Sequence, residues 1–365
     1  VRLIADAVAD PDRAGTRLRT GLRAARWLHS AERRLVGDAV RDALRWGHLL
    51  GETPEATWER WLAWRTGVDD APDRAIAALV DAGDVATLAG VPEPVADQLR
   101  RRFGDQACAF VLASNARAPL ALRTNAGRTT RDALAARLAS EGHPTTPSAV
   151  APHGLLLVGS GNPEDGGAFR DGWFEVQDES SQAIAAWAAE GAGPGALDLC
   201  AGAGGKALAL AAAGLTVTAA DIRPEPLDEL ARRAARAGAR IRTRALDPDG
   251  ALPADWRDRF DLVLVDAPCT GTGVWRRHPE LRARAARWPA VAALQARILA
   301  RAAGAVCPGG RLVYATCSVL PAEDEDVFEA FLAAHPAFRR AADDRHFAPH
   351  TGSGDGFYAA TAIRG

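Results

Sequence analysis

Methionine is absent from this chain, lysine occurs once, at position 206, and tyrosine only twice among 365 residues. The other basic side chains are arginines, the composition that drift in a GC-rich genome produces. Lys206 is then either a chance survivor or a position where an ammonium is wanted. No apolar run reaches the roughly eighteen residues needed to cross a bilayer, so no membrane partner is expected. No basic-then-apolar leader opens the chain, which begins at Val1; the numbering is therefore not expected to start where translation did. The five cysteines, at 108, 200, 269, 307 and 317, form no CxxC pair and no secreted-type disulfide framework. Reduced thiols in the cytoplasm, with no metal, are the expectation. A net charge of −2 excludes a uniformly basic nucleic-acid binder, yet charge is uneven: Thr270 to Ala300 carries six arginines and one glutamate. Such a patch, around residues 276 to 287, can grip phosphates or simply be solvated surface.

What is present divides into three parts. Residues 1–115 read as helical. In "ERRLVGDAVRDALRWGHLL" the residues Val36, Val40, Ala43 and Leu44 recur at helical spacing, and tryptophans 27, 46, 58, 61 and 64 are expected in the core. Residues 116–175 read as a small α+β module, with strands near Leu120 to Arg123 and in "HGLLLVGSG" around a helix that Thr130 caps and Gly142 stops. From 176 to 365 strands and helices alternate, and strands apolar throughout point to a parallel sheet covered on both faces. The fold class is therefore α/β: a doubly wound, Rossmann-like domain, with ligands expected at the carboxyl ends of the strands.

"LDLCAGAGGKALAL" runs strand, glycine turn, helix. The glycines at 202, 204 and 205 allow close backbone approach to a ligand, and the helix start supplies unpaired amides. Gly202, Gly204 and Ala207 also satisfy the dinucleotide pattern G-x-G-x-x-A, so a nicotinamide dehydrogenase stays open at this point. A phosphate-binding P-loop is disfavoured by Ala207, which stands where Ser or Thr would hold magnesium. Asp221 closes the next strand and suits the ribose hydroxyls of any adenosine cofactor; Asp247, or Asp249, could reach the adenine amine.

Asp266 and Cys269 leave one apolar strand, "DLVLVDAPC", and Cys317 leaves the next, "GGRLVYATCS". In a doubly wound sheet those strands would be neighbours. A dehydrogenase has no use for two thiols there, whereas methylation of cytosine C5 does. A thiolate adding at C6 pushes electron density to C5, and a proton or hydrogen bond at N3 absorbs the charge that builds up. Two small buried hydrophobes are the plain alternative for these cysteines, and it is the default for Cys108, Cys200 and Cys307.

"DLCAGAGGK", "DAPCTGTGVWRRHPE" and "YATCSVLP", with "LRTN", "FEVQDESSQ" and "PHTGSGDGFYAATAIR", closely resemble the RNA cytosine-5 methyltransferases of the Sun (Fmu) type, most nearly the small-subunit ribosomal RNA branch. The resemblance runs from about Leu120 to the end. It implies that Cys317 is the nucleophile, that Cys269 assists release of the methylated base, and that Asp266 contacts N3. It further implies that S-adenosyl-L-methionine is held by Cys200, Ala201, Gly202, Ala203, Gly204, Gly205 and Lys206 with Asp221, Asp247 and Asp266. RNA, at a single-stranded or loop cytosine, is the implied partner of a monomeric enzyme, and the helical part is implied to be an RNA-binding domain like that of NusB. Where such loops commonly read CAAPGGKT, Gly202 and Ala203 replace Ala-Pro, and Ala207 replaces Thr. After "TCSVLP", Ala322, Glu323 and Asp324 stand where Glu-Glu-Asn is common, and the run "EDED" reads as a helix amino terminus.

Overall fold

The computed structural model describes residues 2–10, 13–25, 27–248 and 250–365, which form two compact units. No helix among the described residues is long and apolar enough to cross a membrane.

The first unit takes residues up to Arg117 together with 270–289 and 319–321. Its helices include Ser30–Leu50, Pro54–Arg65, Glu93–Phe103 and Ala107–Asn115. The helix 30–50 buries Ala39, Val40, Ala43, Trp46 and Leu50 along one stripe. Thr53 caps the next helix, its hydroxyl accepting from the Ala56 amide, and the buried Trp61 on that helix donates its indole N–H to Asp42. The tryptophans do not all enter the core: Trp46 and Trp61 are buried, Trp58 and Trp64 are half-buried against them, and Trp27 is 78% exposed. Gly104 ends the helix 93–103 at φ 54°, as its sequence predicts.

Residues 270–289 are held in this unit by buried side chains rather than spread over a surface. Trp275 is fully buried beside Phe110, with ring centroids 6.2 Å apart. Arg282 donates from Nη1 to the Arg45 carbonyl at 3.1 Å and from Nη2 to Asn115 Oδ1, and it lies over the Trp275 ring. Arg45 in turn donates to the Arg276 carbonyl at 2.8 Å. Arg276 and Arg282, expected among the phosphate-gripping arginines, are thus interior residues; the Trp275 ring, the Arg45 carbonyl and Asn115 draw Arg282 in. Arg284 is half-buried and Arg287 is exposed.

The second unit holds two sheets. Strands β1 (Ala121–Thr124), β2 (Thr145–Pro147), β3 (Gly154–Leu157) and β4 (Phe174–Val176) form an antiparallel sheet in the order β2-β3-β1-β4, backed by the helix Arg131–Ser140. Thr130 caps that helix as expected, accepting from the Ala133 amide.

The larger sheet contains β5 (Gly195–Asp198), β6 (Thr216–Asp221), β7 (Ile241–Ala245), β8 (Phe260–Asp266), β9 (Val306–Thr316), β10 (Phe338–Arg340), β11 (Arg345–Phe347) and β12 (Phe357–Arg364). Its order is β10-β12-β9-β8-β5-β6-β7, with β11 also on β12. Strands β5 to β9 are parallel; β12 runs antiparallel to β9. Successive residues of β8 serve opposite faces: Val263 and Val265 pack with Leu197, Tyr314 and Phe328, whereas Leu262 and Leu264 pack with Leu208, Leu230 and Val313. Both faces are covered, which is why β8 reads as an unbroken apolar run. The edge strand β7 carries exposed Arg242 and Arg244 instead, the charged edge that discourages further pairing.

Candidate active site

β8 and β9 are direct neighbours, with Asp266 opposite Ala315. Their exits therefore emerge side by side, and three residues beyond Asp266 the chain reaches Cys269, while Cys317 follows β9 directly. The two sulfur atoms lie 3.2 Å apart, close enough for one thiol to donate to the other. No disulfide joins them, and both side chains are partly exposed. The remaining cysteines sit elsewhere: Cys108 in the helical unit, Cys200 at the exit of β5, and Cys307 near the start of β9. Burial, reinforced by the carboxylates of Asp198, Asp266 and Asp221, pushes the Cys200 thiol far up, so it carries no nucleophilic chemistry.

The glycine turn follows β5. Gly202 (φ 52°) and Gly204 (φ 82°) both take left-handed backbone angles, and a side chain at Gly204 would also strike Leu230 Cδ1. The turn is pinned from outside. Asp221, at the end of β6, accepts from the Gly202 amide at 2.8 Å and from the Arg223 amide at 2.9 Å, and Arg233 donates to the Ala203 carbonyl at 2.6 Å. Asp221 is buried; its Oδ1 also accepts from Arg223 Nε at 3.3 Å, and Oδ2 keeps a lone pair for a further donor. Asp247 lies at an exposed position past β7, its carbonyl accepting from Arg301 at 3.4 Å. Asp249, the alternative to Asp247, lies outside the described residues.

The single lysine falls on the helix that follows the turn, Gly205–Ala212. Lys206 is 5% exposed, donates to Asp266 Oδ2 at 2.6 Å, and sits over the Phe357 ring. Asp266 and Lys206 thereby bring the glycine turn and the exit of β8 into one polar pair. Asp198, the last residue of β5, is fully buried, and neither of its oxygens has a hydrogen-bond partner. Burial and then repulsion from Asp266 raise its carboxyl to about 7, against the pull of Lys206 and the Ala207 amide. An orphaned carboxylate beside an amide-bearing turn invites a cation, and the methionyl end of S-adenosylmethionine carries an ammonium and a sulfonium. The residues present therefore fit that cofactor: the turn amides, Asp221 and Asp198 would hold it.

The family model for 16S rRNA methyltransferase RsmB/F matches residues 190–363, and the ferredoxin-like domain model of RsmF/B-like methyltransferases matches 91–162. "Ribosomal RNA small subunit methyltransferase B" of Escherichia coli O6:K15:H31 (strain 536 / UPEC) is 34% identical over 291 residues, covering 75% of this chain. The chain belongs to the RsmB/F methyltransferase family. It spans 66% of that relative's own length. Among solved structures, the crystal structure of PH0851 superposes with a TM-score of 0.79 at 21% identity, over 99% of this chain and 96% of that one. A methyltransferase homologue from Pyrococcus horikoshii gives 0.68 at 22% identity, over 77% and 98%. Those likenesses establish the doubly wound fold, and membership of the RsmB/F methyltransferase family makes S-adenosyl-L-methionine the cofactor. The dehydrogenase reading falls with it.

Several residues at this RsmB/F site carry no sequence signal of their own. Glu323 and Asp324, read as part of a helix amino terminus, do precede the helix Glu325–Ala334, and both are fully buried. Glu323 accepts from Ser318 Oγ at 2.6 Å, and Asp324 accepts from Thr316 Oγ1 at 2.7 Å, so both carboxylates brace the turn around Cys317. Gln295, on the helix Trp288–Ala303, is buried and reaches the Pro268 carbonyl. Glu179, in "QDESSQ", is fully buried with both oxygens unpartnered. His278, by contrast, is exposed and pairs with Glu280 at 3.1 Å.

Proposed function

We propose that this chain transfers a methyl group from S-adenosylmethionine to C5 of a cytosine in small-subunit ribosomal RNA, through a covalent adduct between Cys317 and cytosine C6 that Cys269 helps to resolve. The observation that carries the reading is the pair of sulfur atoms 3.2 Å apart beside the Lys206–Asp266 pair. A duplex base cannot reach such a site, so the target cytosine must leave its stack.

In this reading the Cys317 thiolate forms an S–C6 bond, and the C5=C6 electron pair moves onto C5 and toward N3, where the Lys206–Asp266 pair offers a hydrogen bond. S-adenosylmethionine, when bound, would supply an electrophilic methyl to C5 and leave as S-adenosylhomocysteine. Cys269, as thiolate, takes the C5 proton; the C5=C6 bond re-forms, and the S–C6 pair returns to Cys317. One proton is released to solvent per turnover. The helical part, residues 1–115, is read as the RNA-binding domain, with 116–175 as an adjoining module and 176–365 as the catalytic domain.

The test is methyl transfer from labelled cofactor to small-subunit ribosomal RNA that lacks 5-methylcytosine, followed by mapping of the modified base. Label in 5-methylcytosine is expected. Label in tRNA alone would move the substrate, and no label in any RNA would favour a non-catalytic role in ribosome assembly.

A further inference from the structure

The two cysteine turns come from different strands, yet their spacing must hold through addition, methyl transfer and elimination. A chain of buried hydrogen bonds joins the residue before Cys269 to the residue after Cys317. Gln295 Nε2 donates to the Pro268 carbonyl at 2.9 Å and to Glu323 Oε1 at 3.3 Å. Glu323 Oε2 accepts from Ser318 Oγ at 2.6 Å. Gln295, Glu323 and Ser318 are all fully buried.

The chemistry fixes the orientation of each member. The Gln295 amide has two hydrogens, and both are used on acceptors; turning it over would set its oxygen against a carbonyl and a carboxylate. Glu323 accepts from both neighbours, which suits the ionised carboxylate. Its own carbonyl accepts from Tyr314 Oη at 2.6 Å, and Thr316 Oγ1 accepts from the Ser318 amide at 3.2 Å while donating to Asp324. Glu323 is therefore anchored to β9 independently of the bridge, so a change at Gln295 loosens one end only.

We infer that Gln295 and Glu323 are positioning residues for the two-thiol step: they tie the Cys269 turn to the Cys317 turn and so set the sulfur separation on which release of the methylated base depends. The inference rests on the two-thiol reading above. Breaking the Gln295 end removes one tie on the Pro268–Cys269 turn while leaving Cys317 braced by Glu323, Asp324 and Thr316. Adduct formation and methyl transfer then persist, and abstraction of the C5 proton by Cys269 becomes slow.

The experiment compares the parental chain, Gln295→Met and Cys269→Ala on unmodified cytosine RNA, measuring single-turnover methyl transfer, the rate of product release, and protein–RNA adduct stable in denaturing gels. Gln295→Met is expected to transfer the methyl within about threefold of the parental rate but to release product about tenfold or more slowly, with adduct accumulating as in Cys269→Ala. A residue that merely stabilised the fold would slow both steps together, and that result overturns the inference. If Cys269→Ala accumulates adduct and Gln295→Met releases at parental speed, the bridge alone is wrong. If Cys269→Ala accumulates none, the two-thiol reading fails and the inference with it. Should Gln295→Met not fold, Ser318→Ala cuts the other end of the bridge; a shift in the balance of adduct formation and release supports the inference, and unchanged kinetics overturn it.

Discussion

Buried charge is handled differently in the two units. In the helical unit, Arg45 and Arg282 spend their terminal nitrogens on main-chain carbonyls, Asn115 and Asp42, and so hold residues 270–289 in place. Burial, with repulsion from Arg45, lowers Arg282 to about 9. In the sheet unit, Asp198 is equally buried but has no hydrogen-bond partner, and Lys206 and Asp266 face each other at the mouth of the glycine turn. A buried charge bonded to the backbone is architecture. One left unsatisfied is held ready for a ligand, and the protein carries the energetic penalty until the ligand arrives.

The comparison can be broken most sharply at Asp198. Its folded-state carboxyl titrates near 7, above the ordinary aspartate value, so the folded chain binds that proton more tightly than the unfolded chain. The stability of the cofactor-free protein is accordingly full at acid pH, falls as pH rises from about 4 to about 7, and levels off above. At about 1.4 kcal/mol per pH unit this amounts to roughly 4 kcal/mol. Asp198→Asn should abolish that decline and raise the melting temperature of the cofactor-free protein at alkaline pH while weakening S-adenosylmethionine binding. Thermal melts across pH check it; an unchanged decline would show the carboxylate already satisfied.

Lys206→Met tests the same pair from its other side. Methyl transfer should fall about a hundredfold as the donor proposed to face the ring is lost, read by single-turnover kinetics. Arg282→Met tests the architectural side and should reverse the pattern. About 2 kcal/mol of stability goes with the two acceptors left unpaired, and segment 270–289 opens to protease, with cofactor affinity unchanged by calorimetry. The smallest effect belongs to the exposed Arg287: Arg287→Ala should reduce the salt dependence of RNA binding by about one phosphate contact, and an unaltered slope would remove it from the RNA surface.

The same contrast explains what the sequence disclosed. The glycine turn, the apolar β8 and β9 and the thiols at their exits were legible because each is a local signal: special backbone angles, an unbroken apolar run, a residue type at a strand end. Glu323 and Asp324 were not, since four acidic residues in a row before a helix look like a solvated amino terminus, and only the course of β9 carries them inside. Gln295 falls within an ordinary helical pattern, and nothing local marks its reach to Pro268. Arg276 and Arg282 read as a basic patch because arginine is a surface residue by default; acceptors more than a hundred and fifty residues away in sequence bring Arg282 inside. Trp27 was misjudged in the opposite direction, because it falls in the turn between the helices Ala14–Ala24 and Ser30–Leu50, outside any buried helix face.

The account stands or falls on which sulfur attacks the ring. RNA carrying 5-fluorocytosine at the target blocks loss of the C5 substituent, and mass spectrometry of the trapped complex identifies the attached residue. Attachment at Cys317, lost in Cys317→Ala and retained in Cys269→Ala, is the predicted result. Attachment at Cys269, or methyl transfer with no covalent complex at either cysteine, would contradict it.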